Sequence, residues 1–414
     1  MTDRERLRTL AHRWKEHAES PRMEEKKKQW AKLHSLRSVK PMILVETVYI
    51  EDYLDEKDLQ CSNPFFRKLE KFLLEKLIHT EEIGDDIVLE NCFRIGWKVH
   101  QPSFGVDINR VSSKNGGMAY RFSNPIKSPE DVLKLAKRKF SVDEKGTLNQ
   151  KAFYKDLFGD ILPIAICNFD FLDPPGCFDW IGNFFFGLTW QIHRFVGLDT
   201  MLYWYIDEPE TMHSLLRYMT DDRLSMFKML EDGGFLCPNT DNQMAGPRFY
   251  GYCDDFIKPE GPAGLDHLWA WCESQESSGI SPEMYKEFVL PYLAELSGYF
   301  GKIYYGCCEP VHDKIEILRK EIPNIRAFSV SQWNDFNIIG ELIGRDYVYS
   351  RKPAPACLSG NFLDWNSVQR DIDLTWQSAR NCHLEFLLRD VYRINHDRAR
   401  LTNWVNMVKR RFYM

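Results

Sequence analysis

Short apolar runs that alternate with helical stretches constrain this chain more than any other feature. The runs are PMILVE (41–46), ILPIAICNF (161–169), GGFLCPNT (233–240), LDHLWAWC (265–272), KIYYG (302–306), IRAFSV (325–330), DYVYS (346–350) and HLEFLL (383–388). Between them lie DEPETMHSLLRYMTDDRLSMFKMLEDG, SPEMYKEFVLPYLAELSGYFG and VHDKIEILRKEIP, and the segment 336–344 is also helical in pattern. Ser281 ahead of Pro282 reads as an N-cap followed by proline at the first helical position. Apolar runs of this length, each followed by a helix, imply a parallel sheet. Eight of them predict an α/β fold, a (β/α)8 barrel of TIM type.

Two regions lie outside that pattern. Residues 1–40 are strongly charged, with Leu7, Leu10, Trp14, Trp30 and Leu33 at helical spacing, and predict an N-terminal helical extension. The barrel is then assigned to residues 41–414. Within it, FRIGWKVHQPSFGVDINRVSS and GMAYRF alternate like strands and carry turn residues. They are expected to form an inserted hairpin.

Composition removes several function classes. The formal net charge is −6, which is no nucleic-acid footprint. No run of about 18 apolar residues marks a membrane helix. The start of the chain is charged and lacks the apolar core of an export signal, so a cytoplasmic protein is expected. The 11 cysteines are accordingly expected as reduced thiols.

In such barrels chemistry sits at the C-terminal ends of the strands. That rule marks Glu46, Asn168 to Asp170, Glu273 to Glu276, Cys307 to Glu309, Arg351 with Lys352, and Arg389 with Asp390. The stretch YYGCCEP (304–310) stands out among them. Thiolates are strong zinc ligands, and Glu309 offers a hard oxygen beside Cys307 and Cys308. Neighbours in a strand point to opposite faces, but a bend at the strand end relaxes that limit. Glu276 and Glu273 are candidate acid/base groups, or solvated carboxylates that cap the next helix. Asp390 is a further acid, or the ion-pair partner of Arg389 or Arg351. The aromatic stretch 169–190 supplies Phe171, Trp180, Phe184 and Phe185 as candidate walls of a ring-lined pocket; near-helical spacing makes ordinary core the alternative. His267, read inside the fourth strand, and His312, read inside a helix, have no metal-ligand spacing and are taken as structural.

Three blocks carry a resemblance: FFFGLTWQIHRFVGLDTMLYWYIDEPETMHSLLRYMTD, SPEMYKEFVLPYLAEL and HLEFLLRDVYRINHDRARLTNWVNMVKR. They resemble the uroporphyrinogen decarboxylase superfamily over most of residues 40–410, which implies a distorted barrel of the same class. That superfamily holds two chemistries. The decarboxylases grip a tetrapyrrole with an arginine-rich segment, whereas the matching KPMILVETVYIEDYL here has Glu46 and no arginine cluster. The other branch moves methyl groups to or from corrinoid-carrying proteins. It binds zinc through His-x-Cys at one strand end and a later cysteine on the last strand. Cys308 matches the motif cysteine, Gly306 stands where the histidine belongs, and Asp390 stands near the last cysteine's place. A subgroup with YGCCEP is similar and is associated with O-demethylation.

The resemblance therefore implies an anaerobic-type methyltransferase that acts on a small methylated substrate, expected to be an aryl methyl ether. A separate corrinoid protein is the implied partner, and a homodimer is compatible with related barrels. Cys307, Cys308, Glu309, Glu276 and Asp390 are expected to hold a metal, zinc, or to relay a proton. Glu46 and the aromatics are expected at the substrate. Decarboxylation of a carboxylated aromatic or pyrrolic substrate, and a non-catalytic binding barrel, are the alternatives.

Overall fold

The computed structural model describes residues 1–38, 40–112, 119–168, 184–361 and 363–413. Among these, eight parallel strands form the barrel wall: β1 (Met42–Val45), β2 (Phe93–Gly96), β3 (Ile164–Cys167), β4 (Trp269–Cys272), β5 (Lys302–Tyr305), β6 (Ile325–Val330), β7 (Val348–Arg351) and β8 (His383–Leu388). Six of them make one ladder in the order β1-β8-β7-β6-β5-β4, and β2 pairs with β3. Representative registers are Leu44 opposite Leu387, Tyr349 opposite Leu384 and Trp271 opposite Tyr304. β1, β4, β7 and β8 are buried along their whole length, as a sheet covered on both faces requires.

The wall is closed by side chains where strands do not meet. Beside β1, Asp86 accepts from the Ile43 backbone N–H at 2.9 Å and Asp85 from that of Val45 at 2.9 Å. Between β3 and β4 two asparagine amides act as substitute peptide groups. Asn168 donates to the Cys237 carbonyl at 2.8 Å and accepts from its N–H at 3.0 Å. Asn239 does the same for Trp269, at 3.1 and 2.9 Å.

These joints correct the strand assignment in two places. Residues 233–240 are not a strand; Pro238, which lacks an N–H, interrupts any ladder there. The second barrel strand is instead Phe93–Gly96, which pairs parallel with β3 and so does not belong to a hairpin. The hairpin is the shorter pair Arg110–Ser112 with Tyr120–Phe122. His267 lies in a 3-10 turn before β4, and His312 precedes the helix Ile315–Glu321.

Helices α1 (Asp3–Ala18) and α2 (Pro21–His34) begin at Thr2 and Ser20, whose side chains accept from the first-turn N–H groups. Leu7, Leu10, Trp30 and Leu33 are fully buried. The end of α2 reaches the N-terminal ends of the strands. His34 packs edge-on to Trp269 of β4, the His34 carbonyl accepts from Arg326 of β6 at 2.8 Å, and Ser38 meets His383 of β8 at 2.8 Å. This end is the barrel floor, and the mouth lies opposite. No helix among the described residues is long and apolar enough to cross a membrane.

Candidate active site

At the mouth, β5 ends in Gly306, whose φ of +99° turns the chain in a way that favours glycine. Its N–H donates to the Cys272 carbonyl at 2.8 Å, and its carbonyl accepts from the Trp271 indole at 3.0 Å. The turn places Cys307 and Cys308 half-buried at the opening, with their sulfurs 3.8 Å apart. Two thiolates on one tetrahedral ion with bonds of about 2.3 Å stand about that far apart, so the pair fits a shared soft cation. Among the described residues no three His, Cys, Asp or Glu side chains converge as a metal site.

Glu309 ties β4 to β5. Its oxygens accept from the backbone N–H groups of Ser274 at 3.0 Å and Cys307 at 2.8 Å. Burial nevertheless holds its pKa above the usual carboxyl range. Glu273 is buried with Oε2 on the Gln275 N–H at 2.7 Å and Oε1 without a partner. Burial, and then the nearby Glu276 and Glu309, push it well above the usual range. Glu276 is pushed up to about 7 by burial, against a 2.8 Å bond donated by Thr189. On the β4–β5 side of the mouth burial thus works against charge on all three carboxyl groups. The thiols differ from each other. Cys308 lies below the usual thiol value because Cys307 donates its S–H to it, and Cys307 lies well above for the same reason.

The β7–β8–β1 side carries cations. Glu46, at the end of β1, is buried and accepts at one oxygen from Nε of both Arg248 and Arg389, at 2.9 and 3.3 Å. Its other oxygen accepts from the Asp390 N–H at 3.4 Å. Asp390 has a left-handed backbone, φ +60°, and burial raises its carboxyl pKa despite Arg389. Lys352 follows β7 and is brought down to about 7 by burial. It donates to the Tyr304 hydroxyl at 2.5 Å and to Ser350 at 2.9 Å. Arg351 is turned outward onto Asp371 and lies over the Phe336 ring.

Of the expected aromatics, Phe185 stacks on Trp271 with ring centres 4.0 Å apart. Phe184 is fully buried against Phe227 and Phe300. Phe171 and Trp180 lie outside the described residues. The structure therefore brings Cys307, Cys308, Glu309, Glu273 and Glu276 together on one side, and Glu46 with Asp390 on the other. Sequence reasoning missed Thr189 and Arg248. Neither follows a barrel strand, and Arg248 has its own left-handed backbone, φ +66°.

No protein-family model matches this chain, and no curated protein matches it. Among solved structures it is similar to a methyltransferase from Methanosarcina mazei, with 12% identity and a TM-score of 0.51. The likeness covers 94% of this chain and 99% of that one. At this identity it establishes the fold, a (β/α)8 barrel of TIM type over nearly the whole chain.

Proposed function

We propose that this protein is a methyltransferase that takes a methyl group from a small aryl methyl ether and delivers it to the reduced cobalt of a corrinoid protein. The observation that carries the reading is a carboxyl that holds its proton to about pH 7, Glu276, on the loop whose neighbouring Gln275 accepts from the Cys308 N–H at 3.2 Å, at the same mouth as the two thiols. An ether releases its methyl group poorly because the departing oxygen carries charge. A proton placed on that oxygen in the transition state removes the obstacle. Glu276 supplies it, and Thr189 holds the carboxyl in place. The methyl carbon leaves oxygen for the acceptor's nucleophilic metal, and the arene departs as a phenol. Phe185, stacked on Trp271, offers a ring face to the arene. Glu309 fixes the two strand ends so that acid and thiols keep their spacing. Cys307 and Cys308 would hold a zinc ion, which when bound supplies a Lewis acid for the same oxygen.

The test mixes the protein with a reduced corrinoid protein and methoxyarenes, and follows the absorbance of methylated cobalt. No transfer from any methoxyarene sinks the proposal. Carbon dioxide released without cobalt would point to decarboxylation instead.

A further inference from the structure

We infer that the mouth binds its small substrate through a carboxylate, held by the guanidinium groups of Arg248 and Arg389. The inference rests on the small aromatic donor proposed above and names its charge. One carboxylate, Glu46, holds both arginines, and each uses only its inner nitrogen, Nε, on the same Oε1. Among the described residues the terminal nitrogens of neither guanidinium meet an acceptor. Two outer edges, each a planar pair of N–H donors, are left for a ligand, and a carboxylate matches that fork bidentately.

The charge balance points the same way. Arg248, Arg389 and Glu46 together carry one net positive charge. Lys352, near Arg389 on the same side of the mouth, adds to it whenever protonated. The Glu46 side chain is only 4% exposed, so the cations it gathers are drawn out of bulk water. The arginine side chains keep 12% and 16% of their surface, enough for a small ligand to reach them. Like charges gathered in a poorly solvated place favour an incoming anion. A quaternary or methylated ammonium donor would meet the wrong sign of charge, and a neutral methoxyarene would leave the guanidinium edges unused. Arg389 also acts on Cys307 and Cys308 electrostatically. An acid group seated there brings the rest of a small molecule to the thiols.

Calorimetric titration of the whole protein tests this with 4-methoxybenzoate, its neutral amide and the matching sulfonate. The acid is expected to bind at least tenfold tighter than the amide and tighter than the sulfonate, whose oxygens are not planar. Arg389→Gln and Arg248→Gln should each weaken the acid at least tenfold and leave the amide unchanged. Arg389→Lys, which keeps the charge and loses the fork, should recover only part of the affinity. Equal affinity for acid and amide in the unaltered protein, no binding of the acid, or a preference for the sulfonate overturns the inference, whether or not the variants fold. Acid binding without methyl transfer to cobalt keeps the anion site and removes the methyltransferase reading. Methyl transfer from neutral methoxyarenes alone does the reverse.

Discussion

Glu276 keeps its proton near neutrality because burial outweighs the bond that Thr189 donates to it. As a proton donor it works below about pH 7, and kcat/KM for methyl transfer should fall about tenfold per pH unit above that. Glu276→Gln should lower transfer by roughly 10²- to 10⁴-fold and abolish that limb. The same group sets a stability term of definite sign. Its folded pKa of about 7 exceeds the ordinary 4.5, so its stabilising contribution is full below pH 4.5 and is lost as pH rises through 7. Glu276→Gln should therefore raise the melting temperature at pH 8 and leave it unchanged at pH 4, with a ceiling of about 3 kcal/mol. A second residue-scale outcome concerns the thiols. Cys308, lowered by its neighbour, should react with iodoacetamide faster than the buried Cys61 and Cys272, whose thiols burial pushes up. Peptide mass spectrometry after a short pulse reads the order. Glu276 and Cys308 were legible in the sequence because each follows an apolar run that forms a barrel strand. Arg248 was not, because the fold carries it to Glu46 from a segment with no periodic signal, across 202 positions of sequence.

At the scale of elements, the strand ends decide what the motif can become. Gly306 ends β5 and turns the chain into the two cysteines. A β-carbon there would meet a φ of +99° and the Ser329 β-carbon at 3.1 Å. Gly306→Ala should therefore cost about 1–3 kcal/mol, read as a lower urea midpoint. Gly306→His should be destabilised at least as much, because its β-carbon meets the same backbone conformation and the same Ser329 contact. The same closeness explains where pattern reading went astray. The run 233–240 looks like a strand by hydrophobicity, yet Pro238 breaks its ladder and asparagine side chains replace the missing pairing. FRIG looks like half of a hairpin because Gly96 and the turn residues after it follow so soon. Only its partner, β3 more than sixty residues later, shows that it is parallel, and such distant pairing leaves no local trace.

For the whole molecule, what matters is that the barrel floor is filled by side chains from α2 and the strands. Trp269, Phe249 and His34 pack together at the floor, with the His34 and Phe249 ring centres 4.1 Å apart. His34 donates from Nδ1 to the Tyr252 carbonyl at 2.9 Å, so its 3.2 Å contact with Glu385 from Nε2 needs one shared proton. Both side chains are wholly buried, and Glu385 Oε1 has no partner. Helix α2 thus contributes a polar plug to the axis of the barrel, not only an apolar cover. Removing one partner of such a pair leaves the other stranded, at a cost of about 3–5 kcal/mol. His34→Ala should lose that much in denaturant unfolding. His34→Ala combined with Glu385→Ala should lose less than the sum of the two single variants, because neither then leaves an unpaired group. Deleting residues 1–38 takes away the plug together with Leu7, Leu10, Trp30 and Leu33, and should leave the rest insoluble. If the shortened chain instead folds with an unchanged melting temperature, the floor is closed without α2, and substrate access from that end would have to be reconsidered.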